Sequence, residues 1–201
     1  MTWITTVAYE KASGRLKNLY ARIKGPDDNV DNIMLAHSLR PHTLEGHMTL
    51  YKVVLHHSAN TLEKSYLETI GVYVSMLNDC RYCVEHHFAG LARLLGNEAR
   101  ATAVYQALED HQPSKCFSGK ELAGLVYAAQ LTLDPASIDA HNIEELRQAG
   151  FDDGQILEIN QVSAYFSYAN RTALGLGISA EGDVMGLSPG GSDDNNNWSH
   201  A

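Results

Sequence analysis

Ten consecutive residues, Asn78-Asp79-Cys80-Arg81-Tyr82-Cys83-Val84-Glu85-His86-His87, hold the densest chemistry in the chain. Cys80 and Cys83 stand one helical turn apart. His87 follows Cys83 by four residues, about 40° further round a helix, and therefore on the same face. The pattern predicts Asp79 as the N-cap, Cys80 at the first helical position and Cys83 one turn on. Free amides and the helix dipole favour an anion there, and Arg81 adds to this, so both thiols are expected to be acidified. Two thiols so spaced can close a disulfide, and a histidine in reach can move a proton. His86 is expected to face away from them.

Other chemistries were weighed on the same residues. A c-type haem site needs a histidine directly after the second cysteine, and Val84 stands there. A structural zinc site wants four ligands. Cys80, Cys83 and His87 supply three, leaving Glu68, His86 or another histidine to complete it. Inert packing of two core cysteines sits poorly with a helix start beside His87. Thiol redox chemistry is what the spacing favours. Cys116, between Lys115 and Phe117, reads as a bystander. His37, His42, His47, His56 and His57 crowd one region without a ligand spacing, so solvated or hydrogen-bonded histidines are expected there instead of a metal site. Gly175-Leu176-Gly177 echoes a dinucleotide loop but follows a helix, which predicts a helix C-terminal cap. Asn170 and Arg171 are read as capping or pairing inside the bundle, or at a subunit contact.

These residues must be held by helices. Leu44, Met48, Tyr51 and Leu55 step by four, three and four, one face of a helix with Pro41 in its first turn. Asn60 with Glu63 predicts a capping box opening a helix to about Leu77, and Ser118 with Glu121 and Asp152 with Gln155 repeat the signature. Gly96 and Gly150 fit the position just past a helix end. Gly25-Pro26 would close an N-terminal helix built on Val7, Leu16, Leu19 and Ile23. No segment alternates apolar and polar residues between hairpin turns. The expectation is an all-α bundle of about eight helices, one domain over residues 1–182 with a CxxC-containing core at about 41–110. Residues 183–201 lack an apolar face and read as a polar, flexible tail.

Composition bounds the partners. The chain has 201 residues, 44% of them hydrophobic and 19% charged, with a net charge of −9. A phosphate backbone would be repelled, so no nucleic-acid partner is expected. No apolar stretch approaches a membrane span, and the first residues, Met1-Thr2-Trp3-Ile4, show no basic region leading into an apolar run. Three cysteines, an odd number, suit a reducing cytosol, which predicts a cytoplasmic location.

Glu68, twelve residues before Cys80, then Cys80-x-x-Cys83-x-x-x-His87, resembles the signature of the alkylhydroperoxidase AhpD / carboxymuconolactone decarboxylase-like family, in its peroxidase-related branch. Residues 146–153 and 164–171 resemble that branch too, so the similarity spans most of residues 30–180. Tyr82 stands where AhpD itself has histidine. The resemblance implies an AhpD-like helical fold and a thiol-dependent peroxidase acting on hydrogen peroxide or organic hydroperoxides. It implies that Cys83 attacks the peroxide, that Cys80 resolves it to a disulfide, and that Glu68 draws the proton away through His87. It implies no bound cofactor, an external dithiol donor of lipoyl or thioredoxin type, and a homo-oligomer (dimer, trimer or hexamer). The alternatives are a carboxymuconolactone decarboxylase-like lyase, which needs no thiol pair, and a non-enzymatic metal- or redox-binding module.

Overall fold

The computed structural model describes residues 2–25 and 28–199. Nine α-helices lie among them: α1 (Gly14–Ile23), α2 (Asn32–Ala36), α3 (Pro41–Leu55), α4 (Lys64–Leu77), α5 (Arg81–Leu95), α6 (Glu98–Glu109), α7 (Gly119–Leu133), α8 (Ala140–Gln148) and α9 (Asp153–Gly175). No strand occurs among the described residues. A single isolated bridge joins His57 and Ser192. The fold is all-α, as the periodicity predicts.

α4 is the central element. Every residue from Tyr66 to Ser75 is buried, polar Glu68, Thr69 and Ser75 included, so this helix is enclosed all round instead of along one stripe. It packs against α5, α7 and α9. Full burial of side chains such as Ile70, Val72 and Val74 contributes about 1.5–3 kcal/mol each. Where α4 meets α9, Gly71 gives up its side chain to Phe166, whose ring occupies the space a Cβ would need. A second cluster gathers Leu16, Leu19, Tyr20 and Ile23 of α1 with Leu44 and Met48 of α3, and with Trp198.

The helix boundaries sort the signals. Pro41 opens α3, and Gly96 ends α5 in the left-handed region, with φ 58°. Gly150 follows α8, and α9 ends at Gly175. The Asp152–Gln155 capping box forms in full, and so does one at Asp139–Asn142 that the sequence reading missed. Asn60 does not cap α4: it donates to the Val54 carbonyl, and the helix begins three residues later behind Glu63. Ser118 precedes α7 without a side-chain cap bond. Val7 lies outside α1, its carbonyl accepting from the Tyr20 hydroxyl. Of the Gly25-Pro26 helix stop, Pro26 lies outside the described residues.

The tail expectation is corrected. Its polar residues carry no helix face, yet the described part, residues 183–199, is pinned to the body by backbone carbonyls. The Lys52 ammonium donates to the Gly190 carbonyl and the Ser58 amide to that of Ser192 at 3.2 Å. Arg22 donates to the Asn196 carbonyl at 2.8 Å and covers the Trp198 ring at 3.8 Å. Trp198 is 1% exposed. The segment is a strap, not a free end.

Candidate active site

Asp79 adopts a left-handed backbone (φ 54°) after α4, turning the chain so that α5 starts at Arg81. The N-cap is therefore Cys80 and not Asp79, and Cys83 sits at the third helical position. The two thiols are free and buried, their sulfurs sharing a hydrogen bond at 3.0 Å. Behind them Asn170 is fully buried. Its side chain donates to Ser75 Oγ and accepts from Asn78 Nδ2, both at 3.0 Å, which answers the pairing inside the bundle that the sequence suggested.

Charge divides unevenly between the sulfurs. The hydrogen bond from the Cys83 thiol, then the Cys83 backbone amide and Asn170, draw the Cys80 thiol below its ordinary pKa against the cost of burial. The same shared hydrogen bond, then burial and the neighbouring charge, push Cys83 well above it. The shared hydrogen bond favours a single negative charge on the pair, at Cys80. The expectation that both thiols are acidified is thus corrected at Cys83.

α4 and α5 bring Glu68 to His87. The imidazole Nδ1 lies 2.8 Å from Glu68 Oε2, and the carboxylate is only 3% exposed. A carboxylate accepting at Nδ1 fixes the tautomer and leaves Nε2 as the nitrogen that exchanges protons. Phe166 meets the His87 ring edge-on at 4.6 Å and Tyr51 at 5.9 Å. Glu68, Cys83 and His87 line one pocket of about 60 Å³, partly open to solvent. His86 lines it as well, its Nε2 3.1 Å from the Asp183 carboxylate, so it does not face away from the thiol site. The Tyr82 hydroxyl donates to the same carboxylate at 2.9 Å. Cys116 is exposed and apart from this group.

Several cavity residues were not anticipated. Tyr51 and Tyr165 stack at 5.8 Å. Burial, with Glu68 near one and Cys83 near the other, pushes both phenols well above their ordinary pKa, so they remain neutral donors. His47, buried against Tyr165 and Tyr168, is held neutral with its pKa drawn down to about 3, chiefly by burial and then by His37 and His87. His56 is buried too, with Nε2 3.9 Å from Glu68 Oε1. The crowded histidines therefore divide between surface and site. The α3 stripe carried the signal: His47 stands four residues before Tyr51, on a face read only as apolar. Among the described residues no group of three His, Cys, Asp or Glu side chains has the geometry to hold a metal ion.

Glu68, Cys80, Cys83 and His87 thus stand together inside a helical bundle. An uncharacterized peroxidase-related protein from Silicibacter sp. TM1040 is 27% identical over 75% of this chain and 76% of its own, with a TM-score of 0.67. An alkylhydroperoxidase AhpD core, an uncharacterized peroxidase-related protein from Ralstonia eutropha JMP134, shares the fold at 21% identity, a TM-score of 0.77, and 89% and 92% of the two chains. The debrominase Bmp8, solved as a cysteine-to-alanine variant with 2,3,4-tribromopyrrole, shares it at 19% identity, a TM-score of 0.70, and 90% and 95% of the chains. No protein-family model and no curated protein matches the chain. The fold is AhpD-like, and these neighbours support the AhpD-like family whose Glu–Cys–Cys–His spacing the sequence resembles.

Proposed function

We propose that the protein is a thiol-dependent peroxidase. The observation that supports this most is the pair of free thiols 3.0 Å apart, one of which lines the same pocket as the Glu68–His87 pair. Cys83 is the attacking sulfur because it lines the cavity, while Cys80 lies behind it. The resting charge favours Cys80, and moving one proton across the shared hydrogen bond, or from Cys83 to His87, delivers a thiolate to the cavity. That thiolate attacks one peroxide oxygen and the O–O bond breaks. Cys83 becomes a sulfenic acid, and the departing hydroxide or alkoxide takes a proton through His87. Cys80 then attacks the sulfenic sulfur, forming the disulfide and releasing water. The sum is two thiols and one peroxide giving one disulfide, one water and one further water or alcohol. An external dithiol of lipoyl or thioredoxin type returns the disulfide to thiols, so no bound cofactor is needed.

Thiol counting before and after one equivalent of peroxide, with mass mapping of the linked peptides, tests this. Loss of two thiols and a Cys80–Cys83 linkage is expected. No loss, or a linkage involving Cys116, overturns it.

A second reading draws on Bmp8: the same thiols could remove halogen from a small aromatic ring, which a cavity of about 60 Å³ would have to open to admit. Two thiols and an aryl bromide would give the disulfide, the hydrogen-bearing ring and hydrogen bromide. Bromide release from a bromopyrrole, with no consumption of peroxide, would favour it. A decarboxylase reading leaves the thiol pair without a task. The chemistry suits a reducing compartment, in keeping with a cytoplasmic location, and the protein is proposed to work as a homo-oligomer.

A further inference from the structure

We propose that the strap, residues 183–199, sets the size of molecule that reaches Cys83, admitting hydrogen peroxide and excluding organic hydroperoxides as large as a benzene ring. That peroxides are the molecules being sorted rests on the peroxidase reading; the exclusion by size does not.

Gly186, Leu187 and Ser188 form one wall of the cavity. Gly186 is buried with φ 77°, and a Cβ there would come within 3.1 Å of Ala89, so the strap lies directly on the α5 backbone. Both flanks of this wall are fastened. On one side the Asp183 carboxylate, 2% exposed, accepts from the Tyr82 hydroxyl at 2.9 Å and from the Asn32 amide at 3.0 Å, and meets His86 at 3.1 Å. On the other, Lys52 and Ser58 hold the Gly190 and Ser192 carbonyls, and Trp198 is buried beneath Arg22. Swinging the wall aside breaks several buried hydrogen bonds at once, which keeps it closed at rest.

Size then decides. The pocket that Cys83 lines is partly open to solvent and measures about 60 Å³. A benzene-sized molecule occupies a cavity of about 150 Å³, whereas a water needs only about 10–15 Å³. Hydrogen peroxide, little larger than water, fits; cumene hydroperoxide does not.

The test uses the full chain and two strap variants remote from the thiols, Trp198→Ala and Arg22→Ala. Single-turnover thiol loss is followed with hydrogen peroxide and with cumene hydroperoxide, each rate divided by that of a free cysteine thiol. The wild-type protein should favour hydrogen peroxide. Trp198→Ala should raise the cumene hydroperoxide rate by at least about tenfold, about 1.4 kcal/mol of barrier, leaving the hydrogen peroxide rate unchanged. Should Trp198→Ala fail to fold, Arg22→Ala carries the same comparison with a smaller gain. An equal preference in wild type, or a preference untouched in the folded variants, overturns the proposal.

Alkylation separates this from the peroxidase reading. If neither peroxide outpaces its reaction with free cysteine, that reading fails, and the strap is judged on labelling of Cys83 by iodoacetamide and by the bulkier N-phenylmaleimide. Maleimide labelling blocked in wild type and open in the variants sustains the strap. Labelling as fast in wild type as in the variants overturns it.

Discussion

Cys80 and Cys83 are three residues apart, yet their surroundings give them different work. Cys80 caps the helix and holds charge cheaply; Cys83 faces the cavity and holds it at a cost. Their serine variants should therefore fail differently. Cys83→Ser should abolish peroxide consumption, whereas Cys80→Ser should react once and leave a sulfenic acid that a dimedone probe captures. A Cys80→Ser protein inert to one equivalent of peroxide would reverse the two roles. Glu68→Gln and His87→Ala should each raise the pH at which the single-turnover rate climbs, and the double variant should add little to either, as for groups in one relay. Additive shifts would separate them. His47 gives a different signal, since its imidazole takes up a proton in the unfolded chain near pH 6.5 but in the folded one only near about 3. Between these values the unfolded state binds more protons, so stability falls as pH falls, by about 1.4 kcal/mol per pH unit for one such group. Urea unfolding of wild type and His47→Phe across this acid range should show the variant with the flatter slope. Equal slopes would assign the acid sensitivity to other groups. Spacing alone brought Cys80, Cys83 and His87 to attention, because one helix fixes all three. His47, Tyr51 and Tyr165 come from α3 and α9, and no local pattern brings distant helices together.

At the scale of elements, the strap sets the largest difference between sequence and structure. Apart from those of the Asp183 carboxylate, its hydrogen bonds run through the carbonyls of Gly190, Ser192, Asp193 and Asn196, groups that every residue possesses. Side-chain periodicity has nothing to report about such a segment, and Trp198 alone marks it as something other than solvated chain. Removing that indole should therefore cost folding free energy. A buried Trp→Ala change costs about 3–5 kcal/mol, which in a domain this large lowers Tm by on the order of 10 °C. Thermal unfolding followed by circular dichroism measures it, and an unchanged Tm would mean the strap is not docked. Helix starts were legible to the degree that short side chains made the cap. Asp152–Gln155 closes locally, whereas the Asn60 amide is drawn to the Val54 carbonyl, a tertiary partner the sequence does not display.

For the molecule as a whole, the all-α class followed from helical periodicity and the absence of alternation. The order in which α5, α7 and α9 surround α4 did not, because apolar faces specify burial and not neighbours. Several large apolar side chains still face outward: Leu133 is 65% exposed, Val126 and Leu157 55%. We propose that a second copy of the chain covers such side chains of α7 and α9, in the homo-oligomer that the resemblance implies. Sedimentation equilibrium should give a multiple of the 22.1 kDa chain mass. A single-chain mass at every concentration would remove that expectation.

The missing side chain at Gly71 has a reach of its own. Phe166 rests where that side chain would be, and its ring edge is what the His87 imidazole leans on. Gly71 thus works as a spacer gauge: the gap between two helices is read out, one aromatic ring later, as the angle of a proton carrier. Gly71→Ala would leave every reactive atom in the chain and still spoil their alignment. Thiol content should be unchanged while the single-turnover rate falls, and an intact rate in the folded variant would show that the ring can yield without moving the imidazole. A methyl group three residues along α4 from Glu68 is on this argument the smallest lesion able to uncouple the glutamate from the thiols without touching either.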